Sequence, residues 1–450
     1  MRLLHVSDWH IGRILYSEPR APDHDAVLAE IRGIAAHARP HLIVHTGDLF
    51  ETARPAVEDM QRALAALQEL AVIAPVVVVA GNHDSPALFR LFNSLLSPAG
   101  PGNGRSAPPR ILFVDKARSG PAGIVTYQVD TPRGDQTLKL APLPFVRDGL
   151  IVDTMEDPAT WLRSYAERVH AMEQALGAEL GRGFDPDRDA AIFAAHLHVR
   201  GATFHGTERP IHVNDVYATF PQSIPAVSYA AFGHIHQPQP LPGGVPGRYA
   251  GSPIPLDFGE VDEVKTVVVV DVEPGQPARI EPVTLSAGRP LRQFTGTLDQ
   301  LTASAAGWGA ALSKLVVHTE TPTPDLSDQI ARLLPHAVLC SVTEICAGST
   351  LAPIEEPSGE TPPEPQLPEL FREFLATTVT TGVAAERVAA EFTGLLQAVA
   401  DERPPPRPEQ RLVEDLLDLA LRADRIAAGD IDEAHAPVPT AEGATGKDGP

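Results

Sequence analysis

Five short polar motifs, each placed directly after an apolar run of strand length, constrain this chain more than any other feature. They are Asp8-Trp9-His10, Gly47-Asp48, Gly81-Asn82-His83-Asp84, His196-Leu197-His198 and Gly233-His234-Ile235-His236. The runs before them are Leu3–Val6, His41–Thr46, Pro75–Ala80, Ala190–Ala195 and Val227–Phe232. These read as buried strands, and Pro75–Ala80 is too apolar for an exposed edge. Amphipathic stretches alternate with them. Asp25–Ala38 sets Val27, Leu28, Ile31 and Ile34 at helical spacing, and Val57–Leu70 sets Met60, Leu64 and Leu67 on one face. The alternation predicts a layered α/β body with mainly parallel central strands. Ligand-binding loops gather at the carboxyl ends of such strands, so five loops carrying Asp, Asn and His are expected to point at one place.

At 450 residues the chain is too long for one ordinary core. Ile111–Val114, Gly123–Val129 and Gln136–Pro142 predict strands of a second sheet, and Thr160–Leu180 a helix. Thr266–Val272 and Arg279–Leu285 predict a closing hairpin. Residues 1–288 therefore form the main domain. Residues 289–348 give a small α+β unit: strand Leu291–Gly296, a helix near 298–312, strand Lys314–Thr319, helix Leu326–Leu334 and strand Val338–Ile345. Residues 349–367 are a Pro- and Glu-rich linker. Residues 368–428 carry apolar residues at helical spacing, and 429–450 read as a disordered tail.

The net charge is −22, whereas a chain that grips nucleic acid through its own phosphate contacts should look basic. A polyanionic substrate would then depend on bound cations or on a partner for attraction. The two cysteines, Cys340 and Cys346, lie far from the motifs and point to a reducing compartment rather than a disulfide scaffold. The N-terminus has no apolar h-region, and no run approaches the roughly 20 apolar residues of a membrane span. A cytoplasmic protein is expected.

The donor types suit a mixed nitrogen and oxygen site for borderline divalent metals such as Mn²⁺, Fe²⁺ or Zn²⁺. The lack of thiolates argues against structural zinc. In an extended Asp-x-His segment alternate side chains point the same way, so Asp8 and His10 are expected to serve one ion. Gly47 lets the chain turn, and the two oxygens of Asp48 can bridge two cations. Asn82 offers a neutral carbonyl. The paired histidines of each His-x-His reach one ion or two. Cations about 3.5–4 Å apart clamp the attacking and leaving oxygens of a phosphoester. His83 is assigned to stabilising the phosphorane charge or protonating the leaving group. His5 and His45 read as core or supporting groups. Asp84 reads as the cap of the next helix or as an orienter of His83. Arg209 is a surface residue placed where a loop could reach a phosphate. Any one of these motifs is common by chance; their order and placement carry the reading.

The segments LLHVSDWHIGR, HTGDLFE, VVVAGNHDSP, AAHLHVRGA, AFGHIHQPQ and YAGSPIPLDFGE follow one another in this chain. With them, residues 1–285 resemble the calcineurin-like metallophosphoesterases, and especially the nuclease components of bacterial DNA-end-processing complexes. The resemblance implies a four-layer αββα sandwich with a small α+β capping domain and C-terminal helices. It implies one metal set of Asp8, His10, Asp48 and His236, a second of Asp48, Asn82, His196 and His234, and His83 as the catalytic histidine. His198 falls where the family reserves no metal ligand. Two Mn²⁺ ions, exonuclease action on duplex ends and endonuclease action on single strands or hairpins are implied as well. So are a coiled-coil ATPase partner and a homodimer formed through residues 57–96, where Leu88, Phe89, Leu91, Phe92 and Leu95 make an apolar stretch. The helices at 368–428 are expected to dock that ATPase. Competing readings on the same fold are an enzyme for small phosphoesters and a scaffold without catalysis.

Overall fold

A computed structural model describes residues 1–96, 109–132, 134–146, 158–204, 218–347, 367–377, 388–390 and 392–396. Arg209, residues 349–366 of the expected linker, residues 397–428 and the tail at 429–450 lie outside the described residues. The chain divides into two compact units, Met1–Thr350 and Leu351–Pro450.

The first unit opens with β1 (Arg2–Val6), a small ribbon of β2 (Ile14–Leu15) and β3 (Glu18–Pro19), and helix α1 (Ala21–Ala38). β4 (Leu42–His45), α2 (Val57–Ile73), β5 (Val76–Val79), α3 (Pro86–Leu96) and β6 (Ile111–Val114) follow. Next come β7 (Val125–Thr131), β8 (Gly134–Leu143), α4 (Pro158–Gly181), β9 (Asp189–His196) and β10 (Tyr229–Gly233). β11 (Gln239–Pro240), β12 (Gly247–Tyr249), β13 (Thr266–Asp271) and β14 (Arg279–Thr284) complete two six-stranded sheets. The first has the order β14-β13-β1-β4-β5-β6, and the second β11-β12-β10-β9-β8-β7. The central pairs of both are parallel, and the predicted closing hairpin β13–β14 joins the first sheet antiparallel to β1.

One expectation is corrected. Ile111–Val114 belongs to the first sheet, parallel to β5, rather than to the second. Helix α3 explains the placement: Phe89 and Phe92 pack on Phe113 at ring separations of 5.0 and 5.3 Å, so the crossover returns the chain beside β5. A second difference concerns α1, which starts at Ala21 rather than Asp25. Pro22 sits in its first turn, where a missing N–H costs nothing.

Strand alternation distributes the core. Leu4, Val6, Ile43, Val76 and Val78 pack against Val27, Ile31, Leu67 and Phe89 of α1–α3. Leu3, Val44, Val77 and Val79 face the second sheet, meeting Leu138, Leu140, Ile192, Ala194 and Ala231. Phe193, Ala195 and Phe232 on the far side of that sheet cover Tyr165, Val169 and Leu176 of α4. The order is helices, sheet, sheet, helix, the four-layer sandwich. Both faces of the central strands are covered, which is why those runs lack a polar face.

Past Arg289 come β15 (Leu291–Thr297), α5 (Leu298–Ser304), β16 (Leu312–Thr319), α6 (Leu326–Leu333) and β17 (Val338–Cys346), whose strands form a parallel sheet. Helix α5 is shorter than the sequence suggests, ending in a 3₁₀ turn at Ala305–Gly307 ahead of Gly309 at φ 52°. Leu301, Trp308, Leu315, Val317, Leu326 and Ile330 form this segment's core. A small cluster of Leu15, Phe258, Leu291 and Leu312 ties it to the larger body. Arg289 reinforces the junction through ion pairs with Asp23 (2.9 Å) and Glu18 (2.7 Å). Cys340 and Cys346 both lie on β17.

In the second unit, α7 (Leu367–Thr377) carries Phe371, which stacks on Phe392 at 4.1 Å. Among the described residues, no helix is long and apolar enough to cross a membrane.

Candidate metal centre

The parallel strands of both sheets end at a common edge. Asp8 and His10 follow β1, Asp48 follows β4, Asn82 and His83 follow β5, His196 closes β9, and His234 and His236 follow β10. Backbone hydrogen bonds zip the first two loops together: Asp8 N–H to Gly47 C=O (2.9 Å), His10 to Asp48 (3.0 Å) and Ile11 to Leu49 (3.1 Å). Two further bonds join the sheets. His196 Nδ1–H donates to the Thr46 carbonyl at 2.7 Å, and His234 N–H donates to the Asp8 carboxylate at 3.1 Å. Two glycines make this crowding possible. Gly47 has φ 105°, and a Cβ there would strike the His196 ring; a Cβ at Gly81 would lie on the Asp48 carboxylate.

The backbone corrects one premise of the sequence reading. The Asp-x-His segment is not extended: Asp8 and His10 have φ of 49° and 47°. Asp48 (52°) and His234 (98°) also sit at positive φ. Each such residue costs on the order of 1–3 kcal/mol and persists only where surrounding bonds enforce it. The side chains are thus delivered by a curled backbone whose N–H and C=O groups are tied to neighbouring loops.

The side chains form a continuous buried assembly. His10 Nε2 lies 3.1 Å from His236 Nε2, and ligand atoms of Asp8, His10 and His236 group within 4.8 Å. Asp48, His196 and His234 make a second group of that size. Asn82 Oδ1 stands 2.9 Å from His196 Nε2 and 3.0 Å from His234 Nδ1. Asp48 Oδ2 faces both groups, 3.6 Å from His10 Nε2 and 3.3 Å from His196 Nε2. His234 and His236 thus go to different groups. His83 also comes within 4.8 Å of His10 and Asp48, but its Nδ1–H donates to the Glu51 carbonyl at 2.5 Å. That bond fixes its orientation at the half-buried rim.

Electrostatics fit a cationic occupant. Burial works against the Asp48 carboxylate, yet His196, His83 and His10 hold it well below the usual range. Burial likewise disfavours charge on His196, but Asp48 raises its pKa to about 9. Burial pushes Asp8 up to about 6 and His10 down to about 4. The pocket favours positive charge beside Asp48, and a divalent cation meets that demand while releasing protons. Carboxylates, an amide carbonyl and imidazoles without thiolates are the donor set of a dimetal site.

Several supporting residues carry more than the sequence suggested. Glu51 accepts from His10 Nδ1 at 2.9 Å and pairs with Arg13 at 2.8 Å. Burial would raise its pKa, but His10 and Arg13 together outweigh that and hold it at about 2. Glu260 lies 3.5 Å from His236 Nδ1 and binds Lys265 at 2.6 Å. Asp84 is buried. It accepts the N–H groups of Leu49, Phe50 and Gly81, tying the second and third motif loops together. His5 bonds Tyr229 and Thr46, and His45 packs edge-on to Trp9 at 4.7 Å. His198 turns to Phe204 at 6.0 Å, outside the groups above. On α3, Phe89 and Phe92 are buried, while Leu91 is 50 % and Leu95 65 % exposed.

Known proteins resemble this chain over the region that builds the site. The sequence pattern of the calcineurin-like phosphoesterases matches residues 1–238. A Bacillus subtilis (strain 168) protein, the SbcD component of the SbcCD nuclease, is 32 % identical over 298 residues, which cover 65 % of this chain and 71 % of that protein. Its Escherichia coli (strain K12) counterpart is 28 % identical over 316 residues, covering 68 % and 74 %. A solved dimetal phosphatase from Danio rerio aligns with a TM-score of 0.36 and 13 % identity, over 64 % of this chain and 99 % of that one.

Proposed function

This chain belongs to the calcineurin-like phosphoesterase family, with SbcD proteins among its relatives, and from that premise we propose that it is a metal-dependent DNA nuclease. It degrades duplex ends as an exonuclease and cuts single strands and hairpins as an endonuclease, together with an SbcC-type coiled-coil ATPase in the cytoplasm. One observation carries the reading. A single carboxylate oxygen of Asp48 lies within 3.6 Å of nitrogens from both histidine groups, so Asp48 would serve as a ligand in each. Asp8, His10, Asp48 and His236 would hold one cation, and Asp48, Asn82, His196 and His234 the other; Mn²⁺ suits such donors. When bound, the pair would supply Lewis-acid activation of a phosphodiester.

The remaining chemistry belongs to side chains of the protein. His83 keeps its Nδ1 proton on the Glu51 carbonyl, so Nε2 is the nitrogen presented to substrate. Protonated, that nitrogen stabilises developing phosphorane charge and gives its proton to the leaving oxygen. The acidic body makes a DNA-gripping partner useful, since the chain carries −22 overall. Leu91 and Leu95 offer an apolar face for a homodimer through residues 57–96. Phe92 is unsuited to testing that contact, because it is a core residue.

The deciding experiment compares wild type with His83→Gln on a labelled hairpin, a duplex end and a small phosphodiester in Mn²⁺. Wild type should cut DNA well above the small ester. The variant should keep two metals and lose about 10²–10⁴-fold in DNA cleavage. Equal rates on the small ester and on DNA would replace the nuclease reading with a general phosphodiesterase.

A further inference from the structure

The two halves of the site differ in what stands behind His10 and His236 on one side and His196 on the other. In the first half both outer imidazole nitrogens face carboxylates: His10 Nδ1 reaches Glu51 at 2.9 Å, and His236 Nδ1 lies 3.5 Å from Glu260. In the second half, His196 Nδ1 is backed by the neutral Thr46 carbonyl at 2.7 Å. The inner donors differ in the same sense. Asp8 serves the first half, and the uncharged Asn82 occupies the corresponding role in the second. Asp48 is common to both.

The two backing glutamates are built in, not incidental. Glu260 is fully buried and also accepts from Leu256 N–H (3.0 Å) and Lys265 Nζ (2.6 Å). The same ammonium bonds the backbone carbonyl of His236 at 3.1 Å, so ring and backbone of that histidine are held together. Glu51 uses its carboxylate on His10 and its carbonyl on His83, with Arg13 bonded to the other carboxylate oxygen. A carboxylate behind an imidazole fixes the ring and raises its basicity as a ligand.

Resting on the proposed two-cation site, we propose that Glu51 and Glu260 make the metal positions unequal. The Asp8–His10–His236 position fills first and holds its cation. The Asn82–His196–His234 position fills second and is the one through which cations exchange. Glu51 and Glu260 are positioning residues, acting through His10 and His236.

The test is a binding titration of the full-length chain, stripped with chelator and titrated with Mn²⁺, with free ion read from its paramagnetic resonance signal. Wild type should bind two ions in two separable steps. Glu51→Gln keeps an acceptor beside His10 but removes the charge, giving His10 the kind of backing His196 has. It should weaken the first step roughly 10- to 100-fold and leave the second in place. Glu260→Gln should act in the same direction, and Asn82→Ala should weaken only the second step. Metal-free melting temperatures separate lost charge from lost fold. Should Glu260→Gln melt early, the more solvent-accessible Glu51 decides. Two steps that move together in Glu51→Gln, or a first step that does not move, would overturn the inequality while sparing the two-cation site. Fewer than two ions bound by wild type at saturation would remove the site itself.

Discussion

Two stretches of the first unit share parallel strand–helix wiring and end in opposite ways. In residues 1–285 the strands β1, β4, β5, β9 and β10 deliver a buried cluster of Asp, Asn and His. In residues 291–346 the strands β15, β16 and β17 deliver Thr297, which caps α5, and Thr319, whose hydroxyl bonds Glu344 at 2.8 Å. Among the described residues of that segment no Asp, Glu, Lys, Arg or His is buried. Parallel strand ends are therefore not sufficient for a site. The body has a second sheet whose edge coincides with the first, so loops close over one another and exclude water. Among the described residues, the small segment has one three-stranded sheet and no second sheet beside it.

Glycine substitutions should expose that difference most strongly. Gly81→Ala would place a methyl group on the Asp48 carboxylate and should abolish binding of both cations and all cleavage. Gly307→Ala in the small segment meets nothing within 4 Å and should leave both intact. Metal stoichiometry of the two purified variants checks this; two ions retained by Gly81→Ala would undo the contrast. A core deletion should act in reverse. Ile330 is fully buried, and Ile330→Ala should destabilise the small segment by about 2–5 kcal/mol. Hydrogen exchange should then rise across 291–346 while the metal count stays at two. Loss of metal instead would show that the segment and the body unfold as one.

The pH dependence of stability should also reside in the body. Glu173 on α4 is buried, with both carboxylate oxygens 2.8 Å from the Thr219 hydroxyl. Burial raises its pKa from 4.5 to about 7. A carboxyl raised in the folded state contributes stability that is complete below its unfolded pKa and is lost as pH rises through its folded one. Over that window the loss is of order 3 kcal/mol. Glu173→Gln should match wild type in acid-side unfolding experiments near pH 5 and exceed it near pH 8. Parallel losses in the two proteins would show that the dependence arises elsewhere.

How far these features can be read in the sequence varies for physical reasons. The motif-bearing strands are legible because both sheet faces are covered, which leaves continuous apolar runs such as Val76–Val79. The convergence of Asp8, Asp48, Asn82, His196 and His234 is legible because parallel strands share one carboxyl edge. The left-handed backbone at Asp8 and His10 is not, since it is imposed by loop-to-loop bonds with Gly47 and Asp48. The sheet joined by β6 depends on how Phe89 and Phe92 pack, and strand period says nothing of that. β11 and β12 are two and three residues long in a Pro- and Gly-rich stretch, too short to show a strand period. Glu51 and Glu260 have a signal, a glutamate closing each of HTGDLFE and PLDFGE, but only folding shows which histidine each one reaches.

The mildest change concerns the inert edge of the small sheet. Thr297 ends β15 and begins α5 with a reciprocal cap: its hydroxyl accepts from Gln300 N–H at 3.3 Å, and its own N–H donates to the Gln300 side chain at 2.9 Å. The polar groups at this strand end are satisfied by the helix that follows and point at no ligand. Thr297→Ala should therefore cost only about 1 kcal/mol, the usual value of a lost cap. The loss should appear as a lower melting temperature, with both metal-binding steps unchanged. A shift in either step would mean that the small segment reaches the site through the Leu15, Phe258, Leu291 and Leu312 contact, and that the two regions are coupled rather than merely adjacent.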